Sequence, residues 1–350
     1  MRVVVTGATG NVGTSLLRAL GQDPEVGSVL GLARRLPRLR ADKTEWVQAD
    51  VATSDLVPLF RGADAVVHLA WVVQPSHQLH ALRQVNVVGS QRVFRAVADA
   101  GVKVLVHASS VGAYSPGPKD QPVDESWPTE GVATSFYSRH KAEVERRLDR
   151  FEAEFPDVRV VRLRTALVFK REAASRVRRL FLGPFVPTRL VMPALIPVVP
   201  DVQGVRFQVV HSLDVGDAYH LAVTRDVRGA FNVAADPVLD SSELARLLGA
   251  RTVRVPAAAV RAGTGLSWRL RAQPTSPGWV DLALAAPLLD TSRARRELGW
   301  QPRFNARETL LELLEGIRSR SGIDTPPLSP STGGPFRWRE LRAGVGGAST

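Results

Sequence analysis

The sequence predicts an α/β protein built on a doubly wound parallel sheet, followed by a smaller C-terminal domain. Two observations predict this fold class. Uncharged β-branched runs such as Val3–Val5 alternate with amphipathic helical segments in the first half of the chain, which is typical of parallel sheets covered by helices. The 350 residues, 44% of them hydrophobic, suffice for one large domain or two coupled ones.

A glycine-rich turn follows the first predicted strand and precedes an apolar helix. In such a turn the first glycine allows a sharp reversal, the second lets backbone N–H groups approach a pyrophosphate, and the third lets helix and strand pack closely. The helix N-terminus adds unpaired donors and partial positive charge. The turn therefore predicts a dinucleotide site at Gly7, Gly10, Asn11, Val12 and Gly13. The alternative interpretation is an ordinary strand–turn–helix that needs small residues.

The second predicted strand, Ser28 to Ala33, ends at Arg34 and Arg35. An acidic residue here would accept hydrogen bonds from a ribose 2′-hydroxyl, whereas arginine offers charge-assisted bonds to a 2′-phosphate. The nearest acid, Asp42, lies well beyond the strand end. NADP is therefore predicted, with NAD as the alternative cofactor. Two surface arginines in an arginine-rich chain are the competing interpretation.

Three more strands continue the alternation: Trp46 to Ala49, Ala65 to Leu69 and Val102 to His107. A long helix is predicted between the last two, roughly from His77 to Ala100. Ligands of such sheets bind beyond the carboxyl ends of the strands. The residues at those ends are Gly7, Arg34, Asp50, Leu69, Ala70, Ser109 and Ser110.

The clearest amphipathic helix is predicted from Ser135 to Phe155. Tyr137 and Lys141 share its apolar stripe, because they are spaced at helical intervals with Val144, Leu148, Phe151 and Phe155. An inward lysine needs a partner to offset its desolvation, and a cofactor ribose would provide one. In the alternative interpretation, Lys141 extends from the helix start to solvent.

A tyrosine and a lysine one helical turn apart can perform acid–base catalysis. The ammonium of Lys141 is expected to favour the phenolate and so lower the pKa of Tyr137. Tyr137 can then protonate a carbonyl oxygen during hydride delivery, or deprotonate an alcohol in reverse. Ser110 is expected to hydrogen-bond the same oxygen.

Six segments of the chain form a combination that points to a known family. They are TGATGNVG, VVHLA, NVVGS at Asn86 to Ser90, SSVGAY at Ser109 to Tyr114, YSRHK at Tyr137 to Lys141, and LDTSRARRELGWQP at Leu289 to Pro302. Together they resemble the extended short-chain dehydrogenase/reductases, the NAD(P)-dependent epimerase/dehydratase family. The resemblance covers roughly residues 1–315 and implies a Rossmann fold and an NAD(P)-dependent oxidoreductase, epimerase or dehydratase.

This resemblance also implies roles for single residues. Tyr137 and Lys141 match the catalytic pair, and Ser110 matches its third member. Thr165 replaces the proline of a Pro-x-x-Val segment that flanks the nicotinamide and that ends here at Val168. Arg34 matches the 2′-phosphate contact, and Asp50 with Val51 the adenine contact. The full set of predicted cofactor contacts beyond the glycine-rich turn is Arg34, Arg35, Asp50, Val51, Leu69, Ala70, Asn86, Tyr137, Lys141, Thr165 and Val168.

The C-terminal half departs from the family's sugar-nucleotide enzymes, which grip a diphosphate with arginines. One of those arginines directly precedes an apolar-His-x-x-Asp segment. Here Phe207 occupies that place and Arg206 lies one residue early. PTSPGWVDLA at 274–283 replaces a later arginine-rich stretch, and Phe169-Lys170 replaces a tyrosine-glycine pair. A nucleotide-sugar substrate is therefore disfavoured.

The predicted organisation has three parts. An NAD(P)-binding domain spans 1–168, with 205–235 returning to the sheet. A substrate-binding domain spans 169–204 and 236–317, and a flexible tail spans 318–350. Within these, 176–200 is apolar and proline-broken, as expected of a packed cap or of a lid for a hydrophobic substrate. Later elements are expected at Gly229 to Ala234 (strand), Ser241 to Leu248 (helix) and Ala306 to Ile317 (helix).

Composition excludes several classes of function. The absence of cysteine rules out disulfides, thiolate metal sites and cysteine nucleophiles. His77 and His80 lack nearby acids, so no metal is predicted. The net charge of +12 comes from scattered arginines without a nucleic-acid motif, so no nucleic acid is predicted. Met1 leads directly into a strand and no apolar run reaches ~18 residues, which predicts a soluble, cytoplasmic protein without an integral membrane segment.

The sequence therefore predicts hydride transfer between NADP(H) and a ketone, aldehyde or secondary alcohol of an apolar small molecule. Two alternatives remain open: a nucleotide-sugar epimerase or dehydratase, and a non-catalytic NADP-sensing protein. A homodimer and a transient contact with a membrane surface are both compatible with the sequence.

Overall fold

The computed structural model describes residues 1–73, 78–181, 196–270, 273 and 275–330, without the side chains of residues 180 and 181. His77, most of the predicted cap at 176–200 and the end of the predicted tail at 331–350 lie outside the described residues.

Strands and helices alternate along the described chain. The strands are β1 (Arg2–Thr6), β2 (Ser28–Ala33), β3 (Thr44–Gln48), β4 (Ala65–His68), β5 (Val104–Ala108), β6 (Pro122–Val123), β7 (Arg159–Thr165), β8 (Leu167–Phe169), β9 (Val198–Asp201), β10 (Arg206–His211), β11 (Gly229–Val233), β12 (Ala235–Asp240), β13 (Arg251–Arg254) and β14 (Leu288–Leu289). The helices are α1 (Asn11–Gln22), α2 (Val57–Phe60), α3 (Leu79–Arg83), α4 (Gly89–Asp99), α5 (Phe136–Glu154), α6 (Ala174–Phe181), α7 (Ser212–Thr224), α8 (Ser241–Leu248), α9 (Ala257–Arg269), α10 (Pro277–Ala285) and α11 (Ala306–Arg318).

A seven-stranded sheet forms the centre, in the order β3-β2-β1-β4-β5-β7-β11. Every neighbouring pair is parallel. The central strand β1 is buried on both faces, and Val4 lies between Leu30 of β2 and Val66 of β4. This burial explains why the first strand is an uninterrupted valine run. The predicted doubly wound parallel sheet is confirmed.

Helices cover both faces of this sheet. On one face, α1 and α7 pack over a core that includes Leu16, Leu20 and Val215. On the other face, α4 and α5 pack over a core that includes Phe94 and Leu148. Helices α1 and α7 approach closely, because a Cβ on Gly216 would lie only 2.7 Å from the carbonyl carbon of Ser15.

A smaller layer lies beside the main sheet. Strands β8 and β10 pair in parallel and β10 and β12 antiparallel, under α6 and α11. Its core contains Ala174, Val209, Leu239, Leu313 and Ile317. The strand β10 thus belongs to this layer, whereas α7 and β11 return to the main sheet. The exact division of the chain into domains stays a prediction.

The helix predicted from His77 to Ala100 contains an irregular turn. Its described part begins at Leu79, and a π-helical turn at Gln84–Val88 joins α3 to α4. Such turns interrupt the regular hydrogen-bond ladder, and hydrophobic periodicity does not predict them.

The segment after α11 differs from the predicted flexible tail over its described part. Leu328 is fully buried, and the side chain of Arg179 donates to the carbonyl oxygens of Pro327 and Ser329. Residues 319–330 therefore pack against the smaller layer despite their polar composition. The buried side chain of Leu328 and the hydrogen bonds from Arg179 hold them there.

The family-like segment at Leu289 to Pro302 joins the two layers. Trp300 is buried, and its Nε1 donates to the carbonyl oxygen of Asp214 at 2.7 Å. The Asp214 carboxylate accepts from Arg303 Nε at 3.2 Å and from the backbone N–H of Phe304 at 3.1 Å. These bonds connect the C-terminal part of the chain to the start of α7.

Candidate active site

The glycine-rich turn has the shape of a phosphate cradle. Gly7 has a φ of +71°, and a Cβ there would lie 2.7 Å from the amide nitrogen of Ala70. A Cβ on Gly13 would lie 2.5 Å from the carbonyl oxygen of Ala8. Gly10 differs, since the nearest backbone atom to its missing Cβ is the Gly7 carbonyl oxygen at 3.2 Å. Gly7 and Gly13 thus allow close packing of the backbone, whereas Gly10 leaves room for a ligand to approach the turn.

Helix α1 begins at this turn without a side-chain cap. Gly10 is its N-cap residue, and the first helical turn contains no acidic residue. Asn11 Nδ2 donates to the carbonyl oxygen of Val168 at 2.9 Å, while Asn11 Oδ1 has no hydrogen-bond partner in the described part of the chain. Open backbone donors, room at Gly10 and a buried acceptor fit the phosphates and ribose of a dinucleotide.

The predicted contacts to the adenosine half lie at the ends of β2 and β3. Arg34 and Arg35 are both exposed, and Gln48 Nε2 donates to the carbonyl oxygen of Arg34 at 3.1 Å. Asp50 Oδ1 accepts from the backbone N–H of Ala52 at 2.9 Å, and Val51 is buried. The sheet therefore brings these residues to the same edge as the glycine-rich turn.

Asn86 is buried and holds the loop that follows β4. Its Oδ1 accepts from the backbone N–H of Val72 at 2.8 Å, and its Nδ2 donates to the carbonyl oxygen of Val72 at 2.9 Å. The N–H of Leu69 donates to the carbonyl oxygen of Thr6 at 3.1 Å. These bonds keep Leu69 and Ala70 against Gly7. The side chain of Asn86 thus orders the loop through both of its polar atoms.

The structure brings Ser110, Tyr137 and Lys141 together at the carboxyl end of β5. Ser110 Oγ accepts from the backbone N–H of Gly112 at 3.0 Å and lies 3.5 Å from the position that a Cβ of Gly112 would take. The Tyr137 ring packs on Gly112, where a Cβ would lie 2.7 Å from Tyr137 Cε1. Lys141 Nζ donates to the carbonyl oxygen of Ala108 at 2.6 Å.

Burial governs the electrostatics of this group. It lowers the pKa of Lys141 to about 7, against the opposing influence of Glu145. It also raises the pKa of Tyr137, and the neighbouring Ser110 hydroxyl only partly opposes that rise. The expected lowering of the Tyr137 pKa by Lys141 is therefore not seen. The ammonium instead bonds to Ala108, and the phenol is desolvated.

Glu145 is a supporting residue that the sequence analysis did not identify. It lies one turn after Lys141, and its side chain is 1% exposed. Its carboxylate accepts from Ser109 Oγ, from Arg162 Nη1 at 2.9 Å and from Arg164 Nη2 at 2.9 Å. These partners hold the pKa of Glu145 at about 2 despite burial. The signal in the sequence was the unusual pair of arginines in a strand that is buried on both faces.

Aromatic side chains enclose the candidate catalytic tyrosine. The ring of Trp279, on α10, stacks on Tyr137 with centroids 5.1 Å apart and planes at 30°. The ring of Trp71 meets Tyr137 edge-on at 6.2 Å, and Lys141 Nζ lies 3.5 Å from the centroid of Trp71. Neither tryptophan is predictable from the sequence, because single aromatic residues in loops and short helices show no periodicity.

The residues that depart from the sugar-nucleotide pattern have structural partners. Arg206 Nη1 donates to the carbonyl oxygen of Lys119 at 2.7 Å, and Phe207 packs against the smaller core. Lys170 Nζ donates to Thr14 Oγ1 at 2.7 Å and to Ser15 Oγ at 3.1 Å. Both cations are thus bonded to protein oxygens.

Among the described residues, no group of three or more histidine, aspartate or glutamate side chains could hold a metal ion. No helix in the described ranges combines the length and the apolar character that crossing a membrane requires.

Comparison with known proteins identifies the family. A sequence profile of the NAD dependent epimerase/dehydratase family matches residues 3–234. The chain belongs to this family. The resemblance inferred from the motifs is thereby confirmed.

This epimerase/dehydratase family member is similar in sequence to a curated relative and in fold to two solved structures. The uncharacterized protein Rv2047c of Mycobacterium tuberculosis is 28% identical over 327 residues, which cover 92% of this chain and 31% of the relative. The chain thus spans about a third of the length of the first curated relatives that it matches. MoeE5 in complex with UDP-glucuronic acid and NAD has a TM-score of 0.66 at 24% identity, covering 91% of this chain and 100% of MoeE5. The UDP-glucose 4-epimerase of Thermotoga maritima with UDP-glucose has a TM-score of 0.67 at 19% identity, covering 91% and 99%. At these identities the likeness shows the shared fold.

Proposed function

We propose that the protein is an NADP(H)-dependent oxidoreductase acting on a carbonyl or secondary alcohol of an apolar substrate. The observation that carries the proposal is that Ser110 and Tyr137 both lie against Gly112 at the carboxyl end of β5, with Lys141 one turn further on α5. This group lies at the same sheet edge as the cradle at Gly7 to Gly13, whose shape fits a dinucleotide. When bound, the nicotinamide would supply or accept the hydride.

The protein's own residues handle the proton. Tyr137 holds it on the phenol oxygen and transfers it to the carbonyl oxygen during reduction, or takes it from the alcohol in reverse. Ser110 donates a hydrogen bond to the same substrate oxygen. Burial raises the pKa of Tyr137, which favours the protonated phenol that the reduction requires. Lys141 provides a donor beside the tyrosine, where the cofactor ribose would bind.

The preference for NADP rests on the end of β2. Arg34 and Arg35 are exposed there, and neither forms an ion pair with a carboxylate in the described ranges. A 2′-phosphate would supply the missing anion through charge-assisted bonds. MoeE5 was solved with NAD, so this preference is proposed from the two arginines of this chain.

The apolar character of the substrate is proposed from the walls around Tyr137. Trp71 and Trp279 present large aromatic surfaces beside the phenol, which favour flat or apolar groups. Arg206 is the arginine closest in sequence to the position of the family's diphosphate arginine. Its guanidinium donates a hydrogen bond to the backbone carbonyl oxygen of Lys119. The described part of the site thus offers aromatic surface where a diphosphate would need cations.

A second candidate function is epimerisation or dehydration of a nucleotide sugar. It is favoured by the structural relatives, two of which were solved with UDP-glucuronic acid or UDP-glucose. Ser110, Tyr137 and Lys141 would serve that reaction equally well. The proposal of a non-catalytic NADP-sensing protein is weaker, because an intact acid–base group has no role in sensing.

A ligand panel distinguishes these functions. Calorimetry in the presence of NADPH should show UDP- and dTDP-sugars binding with dissociation constants of roughly millimolar or weaker. Apolar ketones and aldehydes should bind more tightly and consume NADPH, as measured by the loss of its absorbance. Micromolar binding of a nucleotide sugar would favour the epimerase or dehydratase instead. Binding of NADPH without turnover of any compound would favour the sensor.

A further inference from the structure

Helix α6 is anchored on the smaller layer and carries a side chain that lies near the glycine-rich turn. Ala174 is buried against α11, where a Cβ on Gly316 would lie 2.8 Å from Ala174 Cβ. Ser175 Oγ donates to the carbonyl oxygen of Ser321 at 2.8 Å, and Arg179 Nη2 donates to that of Pro327 at 2.8 Å. The backbone of α6 is therefore held in place by residues 316–329.

Arg176, on this helix, reaches the glycine-rich turn. Its Nη1 lies 3.8 Å from the position that a Cβ of Gly10 would take. Apart from the Gly7 carbonyl oxygen, no other described atom outside the neighbouring residues comes within 4 Å of that position. A side chain from outside the parallel sheet thus faces the glycine at which a pyrophosphate approaches the backbone.

The surroundings of Arg176 are positive. In the part of the chain that the structure describes, its guanidinium makes no hydrogen bond and no ion pair. Burial and the charges of Arg179 and Arg34 lower its pKa to about 10. The N-terminus of α1 adds partial positive charge and has no acidic residue in its first turn. Cations gathered at an uncapped helix start are unfavourable until an anion joins them.

We propose that Arg176 is a ligand of the cofactor pyrophosphate, delivered across the glycine-rich turn by α6. This inference rests on the proposed function, in which the turn binds NADP(H). The pyrophosphate, and not the 2′-phosphate, is the proposed partner of Arg176, because Arg176 faces Gly10. Arg34, in contrast, lies at the end of β2, where the adenosine ribose would bind. Because residues 316–329 hold α6 in place, a cofactor bound by Arg176 would also be linked to that part of the smaller layer.

Binding titrations of matched variants test this role without any turnover. The ligands are NADPH, NADH, ADP-ribose and adenosine, of which the first three carry a pyrophosphate. Arg176→Gln should weaken the binding of those three by about tenfold or more, as expected for loss of a charge-assisted contact, and leave adenosine unchanged. Arg18→Gln, which removes an exposed charge from α1, is the control and should change each affinity by less than about twofold.

Thermal unfolding adds a second readout. Without ligand, Arg176→Gln should unfold at the same temperature as wild type or higher, because a partly buried charge beside other arginines is removed. The rise in unfolding temperature on adding NADPH should be smaller than in wild type. Arg176→Lys should bind with intermediate affinity, since it keeps the charge and loses the guanidinium fork. This variant keeps the test decisive if the glutamine variant does not fold.

The outcomes separate this inference from the proposed function. Wild-type protein that binds NADPH while both Arg176 variants bind it equally well would overturn the inference and leave the function standing. A loss confined to NADPH would assign Arg176 to the 2′-phosphate and also overturn it. Wild-type protein that binds none of the three pyrophosphate ligands would overturn both.

Discussion

Glu145 and Arg164 form a buried ion pair directly behind the candidate catalytic serine. Glu145 Oε2 and Arg164 Nη2 are 2.9 Å apart, and the two side chains are 1% and 7% exposed. The same carboxylate bonds to Ser109, the residue before Ser110. Arg164 also donates to the Tyr114 hydroxyl at 3.1 Å, and that hydroxyl donates to Asn232 Oδ1 at 2.7 Å. One carboxylate on α5 thus connects β5, β7 and β11 beneath the site.

Removing this carboxylate should destabilise the fold. Glu145→Gln would leave the guanidinium group of Arg164 buried without its anion, whereas Arg162 keeps its ion pairs with Asp149 and Glu152, so the free energy of unfolding should fall by about 3 kcal/mol. The matched control is Glu143→Gln on the same helix. Glu143 is 26% exposed in its ion pairs with Arg83 and Arg147, so its replacement should lower the free energy of unfolding by less than about 1 kcal/mol. Urea unfolding measures both, and equal losses would contradict a special role for Glu145.

The same ion pair predicts a pH dependence of stability. The pKa of Glu145 is depressed from its ordinary 4.5 to about 2 in the folded protein. Its stabilising contribution is therefore present above pH 4.5 and is lost as the pH falls from 4.5 toward 2, where the folded protein must also take up the proton. In that window, the free energy of unfolding should decline more steeply for wild type than for Glu145→Gln. Parallel slopes would show that Glu145 does not titrate with unfolding.

If Tyr137 is the proton donor, its hydroxyl group should be essential for turnover. Tyr137→Phe should lower turnover by at least ~10²-fold, because no other group replaces the phenol proton. Cofactor affinity and unfolding temperature should stay close to wild type. Tyr219→Phe serves as the control, since it removes a phenol hydroxyl from a buried ring outside the proposed proton path. Stopped-flow measurement of NADPH oxidation compares the three proteins, and a fully active Tyr137→Phe would remove Tyr137 from the mechanism.

Cofactor choice can be tested at the end of β2. Wild type should bind NADPH at least about tenfold more tightly than NADH, as one or two charge-assisted bonds would provide. Arg34→Gln should remove most of that difference by weakening NADPH alone. Arg38→Gln, another exposed arginine four residues later, should preserve it. Fluorescence titration gives the affinities. If wild type binds both cofactors equally, Arg34 and Arg35 are ordinary surface residues.

Features that depend on local patterns in the chain could be predicted from the amino-acid sequence. The valine run, the glycine spacing and the stripe through Tyr137 and Lys141 each lie within one element or one turn, where side-chain periodicity reports burial directly. For that reason the parallel sheet, the strand-end positions and the family could be predicted. The π-helical turn at Gln84–Val88 could not, because it interrupts the period on which the prediction relies.

Only the tertiary structure decided which distant residues meet. Glu145 lies off the apolar stripe of α5, yet it is buried because arginines on β7 face it from a neighbouring strand. Trp279 stacks on Tyr137 and Arg176 reaches Gly10 through the packing of the smaller layer against the large sheet. The direction of the Tyr137 pKa shift was likewise decided by burial. Desolvation and ion pairing depend on the distances between elements, and no local pattern in a chain encodes those distances.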